Sequence, residues 1–129
     1  MDRKVLLSTI WIFAALNYLY CDVVSLMDPN LLKQYLSGTV NGMEFTPGFL
    51  LGAAILVEIP IIMVLLSRVL TYKVNRWVNI IAGGIMTLVQ GASLFAGTPA
   101  MYYLFCSFFE IVSTVLIVWF AWNWREQET

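Results

Sequence analysis

The chain has 129 residues, of which 60% are apolar and 12% charged, with a net charge of −1 and no histidine. Ordinary soluble domains carry roughly 45–50% apolar residues, so the balance points to a membrane protein, and the length allows a single domain, 1–129. No basic patch is interleaved with polar aromatic loops, which excludes nucleic acid as an expected partner, and the lack of histidine removes the commonest metal and haem ligand, so no cofactor is expected.

Four apolar runs are each close to the about 20 residues that a helix needs to cross the hydrocarbon. They predict an all-α membrane fold, a four-transmembrane-helix bundle, with spans at about 5–26, 48–70, 77–96 and 100–122. The first run is too long and too aromatic for a signal peptide and no small-residue cleavage site follows it, so it reads as a retained anchor. The connection 27–47 is the long one. In it "DPNLLKQYLSG" predicts a short interfacial helix, with Asp28 as N-cap, Pro29 in the first turn and Gly38 after the end. Leu31, Leu32, Tyr35 and Leu36 would be its apolar stripe, and Asn41-Gly42 signals a tight turn that closes a small hairpin. "TYKVNR" separates spans two and three, "AGTP" separates spans three and four, and the chain ends in polar "REQET".

With four spans, Arg3, Lys4, Arg68, Lys73, Arg76 and Arg125 fall on one side and only Lys33 on the other. Six of seven basic residues on one side predicts that both termini are cytoplasmic. Trp11, Trp77, Trp119, Trp122 and Trp124 lie toward that side and would form an interfacial belt.

Spans two and four begin alike. Thr46-Pro47 opens one and Thr98-Pro99 the other, and Glu58 and Glu110 each lie twelve residues after the Thr. "DVVSLM" at 22–27 aligns with "QGASLF" at 90–95, pairing Asp22 with Gln90. This pattern suggests two parallel-repeat hairpins, a relation that places sites at the repeat interface.

A carboxylate at the bilayer centre costs about 2.5–3.5 kcal/mol on insertion scales, so such residues face the bundle interior and are functional by default. Glu58 and Glu110 lie near the midpoints of their spans, Asn17 near the middle of span one, and Asp22 and Gln90 in the outer halves of theirs. Helical spacing extends these points into stripes: Tyr18, Asp22 and Ser25; Asn79, Gly83, Thr87 and Gln90; Tyr103, Ser107, Glu110 and Thr114. Turned inward, they would line a polar chamber open to the outside, and Pro60 would kink span two and widen the chamber beside Glu58. The expected ligand-binding residues are therefore Asp22, Glu58, Glu110, Gln90, Tyr18, Asn17, Tyr103 and Thr87. No Lys or Arg lies at the depth of the three acids. Either they hold protons or a cation from outside occupies the site. Gly83, Thr87 and Gly91 are spaced for close helix approach, and Cys21 and Cys106 lie at similar depth in the outer half.

The run "LLSTIWIFAALNYLYCDVVSLMDP" with "TPGFLLGAAILVEIPIIMVLLSRVL" and "NRWVNIIAGG" resembles a family of small, uncharacterised bacterial four-span membrane proteins. That resemblance implies a bacterial plasma-membrane location. Asp22 and Glu58-x-Pro60 are also similar to the pattern of the four-span sigma-2 receptor and sterol isomerase domain, where an Asp and a Glu followed closely by Pro line a lipid-like ligand pocket. The histidine of the isomerases is missing here.

Three functions compete on this reading. The first is binding or transport of protons or of a small amphiphilic or cationic ligand, by a chain surrounded by membrane lipid and paired as a homodimer. The second is a membrane enzyme acting on a lipid-like substrate, which lacks a nucleophile–base pair, a metal motif or a phosphate loop. The third is an accessory subunit of a membrane complex.

Overall fold

The computed structural model describes residues 2–40, 42–95 and 100–125. Asn41, the Thr98-Pro99 pair and the last four residues of "REQET" lie outside the described residues. The order of elements is α1 (Arg3–Leu26), α2 (Pro29–Ser37), β1 (Thr39–Val40), β2 (Met43–Glu44), α3 (Pro47–Val69), α4 (Tyr72–Ser93) and α5 (Met101–Trp122).

Local signals set the helix ends. The Asp2 carboxylate accepts from the Lys4 amide and the Asp28 carboxylate from the Asn30 amide. Gly38 closes α2 at φ 83°, in the left-handed region that favours glycine, and its N–H returns to the Tyr35 carbonyl. Thr46 caps α3 by accepting from the Phe49 amide at 3.1 Å. The small hairpin pairs Thr39 with Glu44 and Val40 with Met43, with Gly42 at φ 80° in its turn. Tyr35, Phe45 and Phe49 stack in series and fasten this insert to the start of α3. Tyr102 donates to the Asp28 carboxylate at 3.2 Å, which ties it to the start of α5.

Of the expected stripe of α2, Leu31 and Tyr35 are half-buried, while Leu32 and Leu36 stay exposed.

Three helices, α1, α3 and α5, are long and apolar enough to cross a membrane. The long helix α4 is more polar, since Lys73, Asn75, Arg76, Asn79 and Gln90 interrupt it. The long helices form a bundle in which α1 packs against α3 and α5, and α5 against α1 and α4. Contact between α3 and α4 is slight, and Ser67 makes their hydrogen bonds. The apolar core holds Leu7, Trp11, Ala14, Met63, Met86 and Ile117. Gly83 lets α4 approach α5 closely: a Cβ there would lie 2.8 Å from Val118 Cγ2 and 3.3 Å from the Thr114 carbonyl oxygen. A Cβ on Gly91 would meet open space, so the small-residue spacing acts at one end only.

The end of the bundle with the termini is tied by side-chain to backbone bonds. Tyr72 donates to the Trp124 carbonyl at 2.8 Å, and Arg76 donates to the Ala121 and Trp122 carbonyls at 3.0 and 2.9 Å. The expected belt of five tryptophans is reduced: Trp77, Trp119 and Trp122 point outward, but Trp11 and Trp124 are buried. Trp11 turns in because its indole N–H donates to the Asn79 side-chain oxygen at 2.7 Å.

Candidate functional site

The polar stripes of α4 and α5 meet along their shared interface, as their spacing requires. From the insert end, Ser93 and Tyr103 share a hydrogen bond between their hydroxyls. Gln90 Nε2 donates to Ser107 Oγ at 2.7 Å and to Tyr103 Oη at 3.5 Å. One turn deeper is Glu110, 2% exposed, and one turn beyond it Thr87 donates to Thr114 Oγ1 at 2.7 Å. Below that level Met86, Ile117 and Ala14 close the seam with apolar packing.

Helix α1 supplies the third side. Tyr18 and Cys21 are buried facing α5. The Tyr18 hydroxyl is buried without a hydrogen-bond partner, and it lies within electrostatic reach of Glu110. Asp22 is exposed at the rim of this seam, also within electrostatic reach of Glu110. Cys21 and Cys106, both buried, lie near enough to act on one another electrostatically. A buried carboxyl, an orphaned phenol and a string of hydroxyl and amide groups thus line successive turns of one seam. Such a set can take up a proton or a small cation, because each member can donate or accept without a fixed counter-charge.

Two expected residues do not join it. Glu58 lies on the exposed face of α3, in a shallow groove with Ala54, Ile55, Ile59 and Ile62. The face of α3 turned to the bundle carries Pro60, Met63 and Ser67. At 3.6 residues per turn, Glu58 sits about 200° from Pro60, on the far side of the helix. The expected chamber lined by all three acids is thus replaced by a packed seam around Glu110. Pro60 lies within a continuous α3 and is buried on the face turned away from Glu58. Asn17 is half-buried and its amide donates to its own helix, at the Phe13 carbonyl, 2.8 Å away. The Asp22 and Glu58-x-Pro60 pattern is not gathered into one pocket.

A second polar cluster, nearer the termini, was only half legible. Asn79 Oδ1 accepts from Trp11 Nε1 and from Ser67 Oγ at 3.2 Å, while Asn79 Nδ2 donates to Asn75 Oδ1 at 2.6 Å. Asn75 Nδ2 donates to the Ser67 carbonyl at 2.7 Å. Ser8, with no exposed surface, donates to the Val64 carbonyl at 2.8 Å and accepts from Arg68 Nε. The usable signal was Asn75, one turn before Asn79 on the same helix face.

No curated protein and no solved structure matches this chain. The chain belongs to the family of unknown function DUF6326, whose model matches residues 1–129.

Proposed function

We propose that this chain is a four-span protein of a bacterial plasma membrane, with both termini cytoplasmic, whose Glu110 takes up a proton or a small cation from the insert side. The antiparallel packing of α4 along α5 supports a fourth span, and the six basic residues at the termini end support the orientation. The observation that carries the functional reading is Glu110 itself. It is almost wholly buried between helices, no Lys or Arg lies at its depth, and the Tyr18 hydroxyl nearby has no partner. Intramembrane acids of this kind mark ion and proton paths. Reconstituted vesicles under an imposed potential test it. Wild type should carry protons or a monovalent cation, Glu110→Gln should not, and Glu58→Gln should behave as wild type. Equal flux in wild type and Glu110→Gln ends the proposal, as does flux no greater than that of empty vesicles.

A second reading has its own observation. The α3 groove combines apolar walls with one carboxylate, a fit for a lipid-soluble organic cation reaching Glu58 from the membrane. Binding of tetraphenylphosphonium that is lost in Glu58→Gln and kept in Glu110→Gln would favour it. Binding lost only in Glu110→Gln would return the ligand to the seam.

A further inference from the structure

Cys21 and Cys106 take no part in the reading above, yet they sit in an unusual place. One is on α1 and the other on α5, helices that pack together along the bundle. Both are free, and both are buried, at 3% and 2% exposure. Burial of a single cysteine is ordinary packing. Here the two thiols lie across the helix interface near enough to act on one another electrostatically. Among the described residues no cluster of three or more metal-ligating side chains includes them, which leaves the pair to its own chemistry.

We propose that Cys21 and Cys106 are a redox pair that closes into a reversible disulfide between α1 and α5. The oxidant is a small disulfide that reaches the interface from the lipid or from the insert side. One thiol attacks a sulfur of that disulfide, which forms a mixed disulfide and expels one thiol. The second protein thiol then attacks the sulfur of the first and expels the other thiol. Two protein thiols are oxidised to one disulfide, the incoming disulfide is reduced to two thiols, and the two protons lost by the protein end on those leaving sulfurs. The bond joins α1 to α5 one turn from Tyr18 and one turn from Glu110, so oxidation pins the helices on either side of the seam. In the orientation proposed above, this half of the bundle is nearest the compartment in which disulfides persist. The pairing itself does not depend on what Glu110 carries.

The test uses the folded full-length chain in detergent and dithiodipyridine, a small lipid-soluble disulfide whose released thiopyridone can be counted. Wild type should release two thiopyridones per chain and retain none, with an intact mass lower by two hydrogens, and dithiothreitol should restore the starting mass. Cys21→Ser and Cys106→Ser should each release one thiopyridone and keep one pyridyl group, and Cys21→Ala and Cys106→Ala provide the same comparison should a serine variant fail to fold. Three results would overturn the pairing: two pyridyl groups retained on wild type, a disulfide between two chains, or reaction only after unfolding in dodecyl sulfate.

Discussion

Glu58 and Glu110 stand at the same distance from equivalent Thr-Pro pairs, yet they face opposite environments: Glu110 is buried between helices and Glu58 lies on the outer face of α3. Equal spacing therefore does not give equal position. The two helices present different faces to their neighbours, and the carboxylates acquire different chemistry. That divergence supplies the first test.

Glu58→Leu removes a carboxylate from a helix face that has no cover. Insertion scales value the change at about 2.5–3.5 kcal/mol in favour of leucine near mid-membrane. Insertion of α3 should become more efficient in a glycosylation-mapping assay, with the fold retained. A fall in the thermal midpoint of the purified protein would instead show that another chain or ligand covers Glu58.

Tyr18→Phe tests the orphaned hydroxyl. A buried hydroxyl without a partner costs about 1–3 kcal/mol, so phenylalanine should be as stable as tyrosine or more so. If the hydroxyl serves an incoming proton or cation, the variant keeps its thermal midpoint and loses flux. Unchanged flux would remove Tyr18 from the site.

Gly83→Ala should weaken the contact of α4 with α5, because the new methyl meets Val118 at 2.8 Å and the rigid Thr114 backbone at 3.3 Å. Overpacking of this kind costs about 1–3 kcal/mol. Gly84→Ala, where a Cβ meets nothing within 4 Å, is the control, and helix propensity favours it by roughly 0.5–1 kcal/mol. Thermal or dodecyl sulfate unfolding should order the three proteins as Gly84→Ala, wild type, Gly83→Ala.

Asn79→Leu strips the acceptor from Trp11 and Ser67 and the donor from Asn75. Leaving buried donors unmade costs about 1–3 kcal/mol. A double-mutant cycle with Trp11→Phe should recover part of that loss, since the indole N–H then no longer needs a partner. Strict additivity would mean that the bond at 2.7 Å contributes nothing.

Several features were legible because they are local. The Asp28, Pro29 and Gly38 signals place α2 to the residue, as Thr46-Pro47 does for the start of α3. The stripes on α4 and α5 were legible too, since polar groups at helical spacing in a membrane have to meet each other. Trp11 was misplaced because an indole suits both an interfacial belt and a buried hydrogen bond, and the choice rests on Asn79, distant in sequence.

The amino-acid sequence by itself determined the number of long helices, the caps of α2 and α3, and the polar face shared by α4 and α5, whereas α4 starts at Tyr72 instead of at 77 and takes in most of "TYKVNR". Only the tertiary structure decided which side of α3 turns inward. That helix is apolar on nearly every side, and lipid solvates an apolar face as well as another helix does, so hydrophobicity sets no preferred rotation. Close packing of Pro60, Met63 and Ser67 against neighbouring helices settles the rotation, and it leaves Glu58 outside.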